Sequence, residues 1–393
     1  MKTLFDRVFG GKHGLTSLAV LALILLAILP LSLDIFRLNL VGKYLTYAFV
    51  GVGLVLLWGK AGVLSLGQGV FFGLGGYCMA MFLKLEASDP ISTKIQSTPG
   101  IPDFMDWNQL KALPAFWEPF HSFPFASAAV LVVPALLAFV IGLAMFKRRV
   151  GGVYFAVITQ AVALIVSLAI DGNQGYTGGR NGITDLRTLL GHDIRSQQAQ
   201  YVLYFTTCLL LIGVILLLQW MLSGKMGKIL LAMRDREDRV RFSGYDVSAF
   251  KVFIFSLAAA LSGIGGALFV LQVGFISPSL VGIVPSIEMV IFTAVGGKLS
   301  LYGAVYGALL VNTGKSLFSE NFPQLWLFMM GGLFIAVVVL FPNGIAGIWQ
   351  NLTNQASRWV AARRKAPALA PTPAPAAEVI VPATLETETS TTP

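Results

Sequence analysis

Ten stretches of about 20 mostly apolar residues follow one another along this 393-residue chain, and that is the length an α-helix needs to cross a bilayer. They run over roughly 15–33, 39–58, 63–83, 123–146, 150–171, 200–222, 251–273, 280–296, 301–318 and 324–345. Hydrophobic residues make up 56% of the chain and charged residues only 12%, against roughly 45–50% and about 25% in a soluble domain. With a mean hydropathy of +0.76, a single water-soluble globular fold is excluded. The expected fold is all-α, a polytopic transmembrane helical bundle of about ten spans, eight at the fewest.

Two segments are open to a broken or re-entrant form. Segment 63–83 holds Gly67, Gly69, Gly73, Gly75 and Gly76, and segment 280–296 holds Pro285 and Glu288. Such residues are tolerated at membrane depth where neighbouring helices satisfy the backbone. The first segment follows Lys2, Arg7 and Lys12 like the start of a signal peptide. Its apolar run is long, however, and Leu-Pro-Leu-Ser-Leu-Asp stands where a small-residue cleavage site belongs, so it reads as an uncleaved span.

A cytoplasmic N-terminus puts nineteen of the 28 Lys and Arg residues on the cytoplasmic side, and the opposite orientation reverses that ratio. Both termini are therefore expected inside, and the net charge of +9 reports topology rather than a nucleic-acid partner. Cys78 and Cys208 lie in apolar runs, which excludes a disulfide framework. His13, His121 and His192 are scattered over separate stretches, so no metal site is expected.

The membrane domain is expected over 1–350, with outer loops at 84–122 and 172–199 and an inner loop at 223–250. A basic segment follows at 351–365, then a Pro/Ala/Thr-rich tail at 366–393 too poor in large apolar residues to order itself. In the inner loop Ile229, Ala232 and Met233 fall at helical spacing, with Val240 further along the same side. Charges of both signs between Arg234 and Arg239 cover the rest, and short helices are expected to end near Gly244. One reading is a solvated connector. The other is a docking helix, because lipid headgroups favour Lys and Arg alone whereas mixed charge suits a protein surface.

This loop resembles the coupling segment of ABC-importer permeases of the branched-chain amino acid type, through Ala232, Arg234, Asp235 and a glycine about ten residues on, Gly244. Further matching stretches are Ser65 to Tyr77, Gly151 to Ala156, Thr177 to Ile183, Ala294 to Gly303 and Leu340 to Ile345, in order from about residue 40 to 350. Within the family, Ile101 to Asn108 and Leu113 to Phe123 resemble the urea-transport branch. The strict Glu-Ala-Ala docking motif of importers is absent, so the location of docking is carried over and its contacts are not. The resemblance implies a bacterial inner-membrane permease subunit for urea, with no enzyme activity of its own. It also implies a second related permease subunit, two cytoplasmic ATPase subunits that use ATP, and an extracytoplasmic binding protein. Its coupling residues are Ala232, Arg234, Asp235, Arg239 and Gly244.

Gly69, Gly73, Gly303 and Gly307 form two small-xxx-small pairs that let helices approach closely. The alternative for Gly67 to Gly76 is a backbone bend lining the solute path. Polar residues inside spans are costly and are pathway candidates by default: Gln68, Thr159, Gln160, Glu288 and Asn312, beside Thr313. Ordinary interhelical hydrogen bonding stands against that reading for each. Uncharged amides and hydroxyls suit a small neutral solute such as urea, which needs donors and acceptors but no counter-charge. Gly314-Lys315-Ser316 ends like a P-loop, but Leu309 stands where its first glycine belongs, so the chain is expected to bind no nucleotide or other cofactor. Two alternatives remain: a branched-chain amino acid or short-chain amide permease of the same class, and a stand-alone secondary transporter or channel. The latter usually carries several ionisable residues in its spans, and here Glu288 is the one read at depth.

Overall fold

A run of apolar chain crossing hydrocarbon has to satisfy every backbone N–H and C=O within itself, and a helix does so. The computed structural model describes residues 12–90, 93–94 and 96–322, with scattered positions between 325 and 345. Most of the tenth apolar segment, and all of the basic segment 351–365 and the tail 366–393, lie outside the described residues.

The chain runs through α1 (Lys12–Leu23), α2 (Ile35–Leu54), α3 (Gln68–Glu86), α4 (Phe123–Phe146), α5 (Gly152–Gly172) and α6 (Gln197–Ser223). It continues through α7 (Lys225–Phe242), α8 (Val247–Val273), α9 (Ile283–Gly296) and α10 (Leu301–Asn321). A two-residue hairpin, β1 (Thr188–Leu189) with β2 (His192–Asp193), is the sheet among the described residues. The chain is thus an all-α, multi-pass membrane protein.

Six described helices are long and apolar enough to cross a membrane: Ile35–Lys60, which is α2 with its π-helical last turn, then α3, α4, α5, α6 and α8. Other expected spans depart from a straight, long helix. α9 and α10 bend by 118° at Gly297–Ser300, the form of a broken span or a re-entrant pair. In the first segment the apolar stretch of the helix is Thr16–Ser32, where a π turn at Ile24–Ile28 precedes Pro30. Proline has no N–H to give and a widened turn accommodates it.

α8 is the centre of the bundle and packs on α2, α3 and α4. Its glycines make this possible. A Cβ at Gly266 would lie 1.8 Å from the Phe72 carbonyl oxygen, and one at Gly263 would lie 2.4 Å from that of Val130. Gly75 and Gly76 of α3 sit against α8 while Gly69 and Gly73 meet Ser286 and Val281, and all four lie in continuous helix between Gln68 and Glu86.

Two helices start inside the protein. The lead into α3 holds the Leu66 amide 3.1 Å from the Thr159 hydroxyl, and Thr159 lies about 10 Å into α5. The lead into α9, residues 274–282, pairs Ile276 with Ile183. It then descends along α3 until Val281 reaches Gly73, about 20 Å below Glu86. Ile276 and Val281 are fully buried, the condition under which irregular backbone is stable at this depth.

The two stretches 84–122 and 172–199 are stitched together over the end of α3. The Lys84 ammonium donates to Asp103 at 2.9 Å and to the Thr184 carbonyl at 3.1 Å. Glu86 accepts the Leu190 amide at 3.0 Å, and the Trp117 indole donates to the Tyr176 carbonyl at 2.9 Å. Lys147 to Arg149, α7 and Lys298 gather at the opposite end.

Candidate coupling surface and solute cleft

α7 is polar along most of its length, yet one side is anchored. Leu230, Met233 and Val240 are buried, the last two with Val247 in a small cluster against Ile229 and Phe250. Ala232, expected on this inner side, is exposed, and Leu230 takes its place. Leu230 lies one turn before Met233 on the same face, and a break at Arg236 (φ −153°, ψ 81°) follows between Met233 and Val240. Outward lie Ala232, Asp235, Arg239 and two large apolar side chains, Leu231 and Phe242, the latter 92% exposed.

Arg234 ties α7 to the membrane helices. Its guanidinium donates to the Gly59 carbonyl at 3.0 Å and to Asp235 at 3.1 Å, and its stem lies against Gly62. Gly59 is also where a Cβ would lie 1.8 Å from the Lys298 carbonyl oxygen, at the corner between α9 and α10. The Lys298 ammonium stands 5.1 Å over the Trp58 ring. One point thus joins α7, the end of α2 and the α9–α10 corner. Glu237, which sequence reasoning missed, accepts from Arg241 at 3.0 Å and from Lys251 at 2.6 Å, locking α7 to α8. The Glu237/Arg241 spacing of four is the signal that marked it. Gly244 follows the helix at φ +84°, a left-handed turn that glycine adopts freely.

The pathway candidates separate into two groups. Gln68 and Thr159 belong to the junction where α3 and α9 begin. Gln68 is fully buried and its Oε1 accepts from Ser262 at 3.0 Å, while Thr159 donates to the Ala156 carbonyl at 2.9 Å. The Gly69 amide donates to Ser286 at 3.0 Å, and a Cβ at Gly69 would meet that hydroxyl at 2.6 Å. Gln160 is half-buried on α5. At the other packing pair, Gly307 lies against Gly296, where a Cβ would come within 2.7 Å of its Cα.

Glu288 and Asn312 come together elsewhere. The Glu288 carboxylate receives the Lys315 ammonium at 2.8 and 2.7 Å, with the carboxylate side chain 13% exposed. Beside this pair a cleft of about 280 Å³ opens between Lys43, Tyr44 and Tyr47 of α2 and Asn312, Lys315, Ser316, Ser319 and Glu320 of α10. Tyr44 and Ser316 are hydrogen-bonded across it. Tyr47 is held by Phe72, Phe269 and Phe292 at ring distances of 5.3 to 5.8 Å. The Lys43 ammonium lies 5.7 Å over the Phe269 ring. Glu288 is thus joined by two further ionisable side chains inside helices, where each charge costs roughly 2.5–3.5 kcal/mol at the bilayer centre. Sequence reasoning passed over Lys43 and Lys315 because α2 begins four residues before its expected start and α10 ends three after its expected end, which moves both lysines inward.

The chain is 24% identical over 351 residues to the high-affinity branched-chain amino acid transport system permease protein LivM of Salmonella typhimurium, covering 84% of this chain and 74% of that one. It is 21% identical over 315 residues to the corresponding permease BraD of Pseudomonas aeruginosa, covering 77% and 92%. A more distant likeness, 21% over 223 residues and 54% and 67% of the two chains, is to the ribose import permease RbsC of Haemophilus influenzae. No solved structure matches the chain. The model of the branched-chain amino acid transport system permease component matches residues 36–338, a stretch that takes in every helix from α2 to α10. The chain belongs to that family of permease components.

Proposed function

We propose that this chain is a membrane-spanning subunit of an ATP-driven importer of the bacterial inner membrane, and that its solute is urea. It works with a second related permease subunit, two cytoplasmic ATPases that bind the ATP, and an extracytoplasmic binding protein. The observation that carries this reading is α7. A charged helix anchored by Arg234 to the end of α2 and by Glu237 to α8, with Asp235, Arg239 and Phe242 turned outward, is a surface for a partner to push. The basic residues at that end make it the cytoplasmic end, with both termini on that side. Solute arrives at the end covered by 84–122 and 172–199. ATP-driven closure of the ATPase pair moves α7, and the Arg234–Gly59–Lys298 contact passes the motion to α2, α9 and α10, switching access.

Urea is supported by the outer stretches Ile101 to Asn108 and Leu113 to Phe123. A second reading, a branched-chain amino acid, is supported by the names of the permease relatives. The test is charge reversal, Arg234→Glu with Asp235→Lys, which is expected to abolish uptake while the protein still reaches the membrane. Wild-type uptake by the double variant would overturn the coupling role of α7. Labelled urea and labelled leucine uptake, in cells with and without the chain, separates the two solutes.

A further inference from the structure

The cleft between α2 and α10 bears on which solute the chain recognises. Its volume, about 280 Å³, is roughly nine times the ~30 Å³ that a water molecule takes in the liquid. Its walls carry ammonium, phenol, hydroxyl, amide and carboxylate groups and no aliphatic side chain. Its apolar surface comes from the Tyr44 and Tyr47 rings and the lysine stems, and beside it a small polar solute would find a partner for each of its groups.

The charges narrow the class further. Glu288 is held by Lys315 through both of its oxygens and so presents a compensated pair rather than an open carboxylate. Glu320 is exposed at the rim. A zwitterionic amino acid needs a carboxylate for its ammonium and a cation for its carboxylate, and the interior wall offers only the second, in Lys43. A neutral amide needs less: a donor for its carbonyl oxygen and acceptors for its N–H groups. Lys43 supplies the donor. The Asn312 amide nitrogen is committed to the Ala308 carbonyl at 2.7 Å, which leaves the Asn312 carbonyl oxygen as an acceptor, with the hydroxyl oxygens of Ser316 and Ser319 beside it.

We propose that this cleft is a binding site for a small neutral amide, urea or a short-chain analogue, with Lys43 on the solute carbonyl and Asn312 and Ser316 on its N–H groups. The site rests on the reading of the chain as a permease subunit and assigns the solute class to particular side chains. The Tyr47 ring, fixed by three phenylalanines, gives the planar solute a rigid wall.

The experiment measures labelled urea, acetamide and leucine uptake by the complete transporter carrying wild-type chain or the variants Lys43→Met, Asn312→Leu and Ser316→Ala. Chain in the membrane is quantified in each case. The expected result is that the wild type moves urea and acetamide in preference to leucine, and that Lys43→Met and Asn312→Leu each raise the urea KM at least tenfold. Ser316→Ala, which removes a single hydroxyl, is expected to raise it about threefold and serves if a larger change prevents assembly. Urea uptake with an unchanged KM in all three variants would overturn the site and leave the permease reading standing. Wild-type uptake of leucine alone would overturn the amide assignment. Uptake of none of the three by wild type would overturn the permease reading and the site with it.

Discussion

Two polar regions sit inside this bundle and they are built in opposite ways. At the α3–α9 junction, Gln68, Thr159, Ser262 and Ser286 turn towards one another and the backbone, and even a methyl group on Gly69 has no room. At the α2–α10 cleft, Lys43, Tyr44, Asn312 and Ser316 line open space beside a compensated ion pair. Both regions read alike in sequence, as costly polar residues in apolar runs. What separates them is room. A closed polar cluster stabilises irregular backbone, while an open one is available to a solute.

That contrast is testable by variants that move stability and affinity separately. The largest effect is expected on the closed side, from Gly266→Ala, whose new Cβ would collide with the Phe72 carbonyl oxygen. It is expected to cost about 3 kcal/mol, read as a lowered unfolding temperature in detergent. An unchanged unfolding temperature would show that α3 and α8 yield easily. Next comes the ion pair. Lys315→Met leaves the Glu288 carboxylate nearly buried without that ammonium, and about 2 kcal/mol is expected after allowing for the partial exposure of Lys315. Adding Glu288→Leu should recover most of that stability. If the single and double variants are equally unstable, the charge is not what the pair supplies.

Thr159→Val sharpens the comparison from the closed side. It removes the acceptor of the Leu66 amide and keeps the shape of the side chain, so about 1 kcal/mol of stability should be lost with the urea KM unchanged. A raised KM would move Thr159 into the solute path. The smallest effect lies in solvent. The Asp106 carboxyl is held below its usual range by the Thr98 hydroxyl at 2.5 Å and, less strongly, by the Ser97 and Thr98 amides. Because the folded value is depressed, the order it lends to 97–106 is full above the ordinary carboxylate range and fades as pH falls through the folded value. Hydrogen exchange of the Thr98 amide should report this. Protection that does not fall on acidification would show that the loop is ordered by other contacts.

Much of this was legible in the sequence, and the exceptions have physical causes. Segment 123–146 coincides with α4, because an apolar run bounded by Ser122 and Lys147 leaves little choice of ends. The charged helix of the inner loop and the glycine that follows it were legible from charge pattern and spacing. Ala232 was placed inward on its spacing from Ile229, whereas the buried stripe runs through Leu230 and Met233, one turn apart. The α9–α10 bend was expected only as a weakness at Pro285 and Glu288, although the turn itself falls at Gly297–Ser300, where Gly297 adopts φ +118°. The cleft was half legible. Glu288 and Asn312 were singled out, yet the lysines that complete the site looked like the ends of spans.

The contact between Gly75 and Gly263 decides where the molecule has freedom to flex. A Cβ at Gly75 would lie 2.3 Å from the Gly263 carbonyl oxygen, while Gly263 itself abuts α4 on its other side. Side chains that interlock can change rotamer and let two helices slide. Backbones in direct contact have no such play. α3, α4 and α8 therefore behave as a chassis. Any gate in this subunit has to swing at its margins, where α5 presents most of its apolar surface to something other than its own chain.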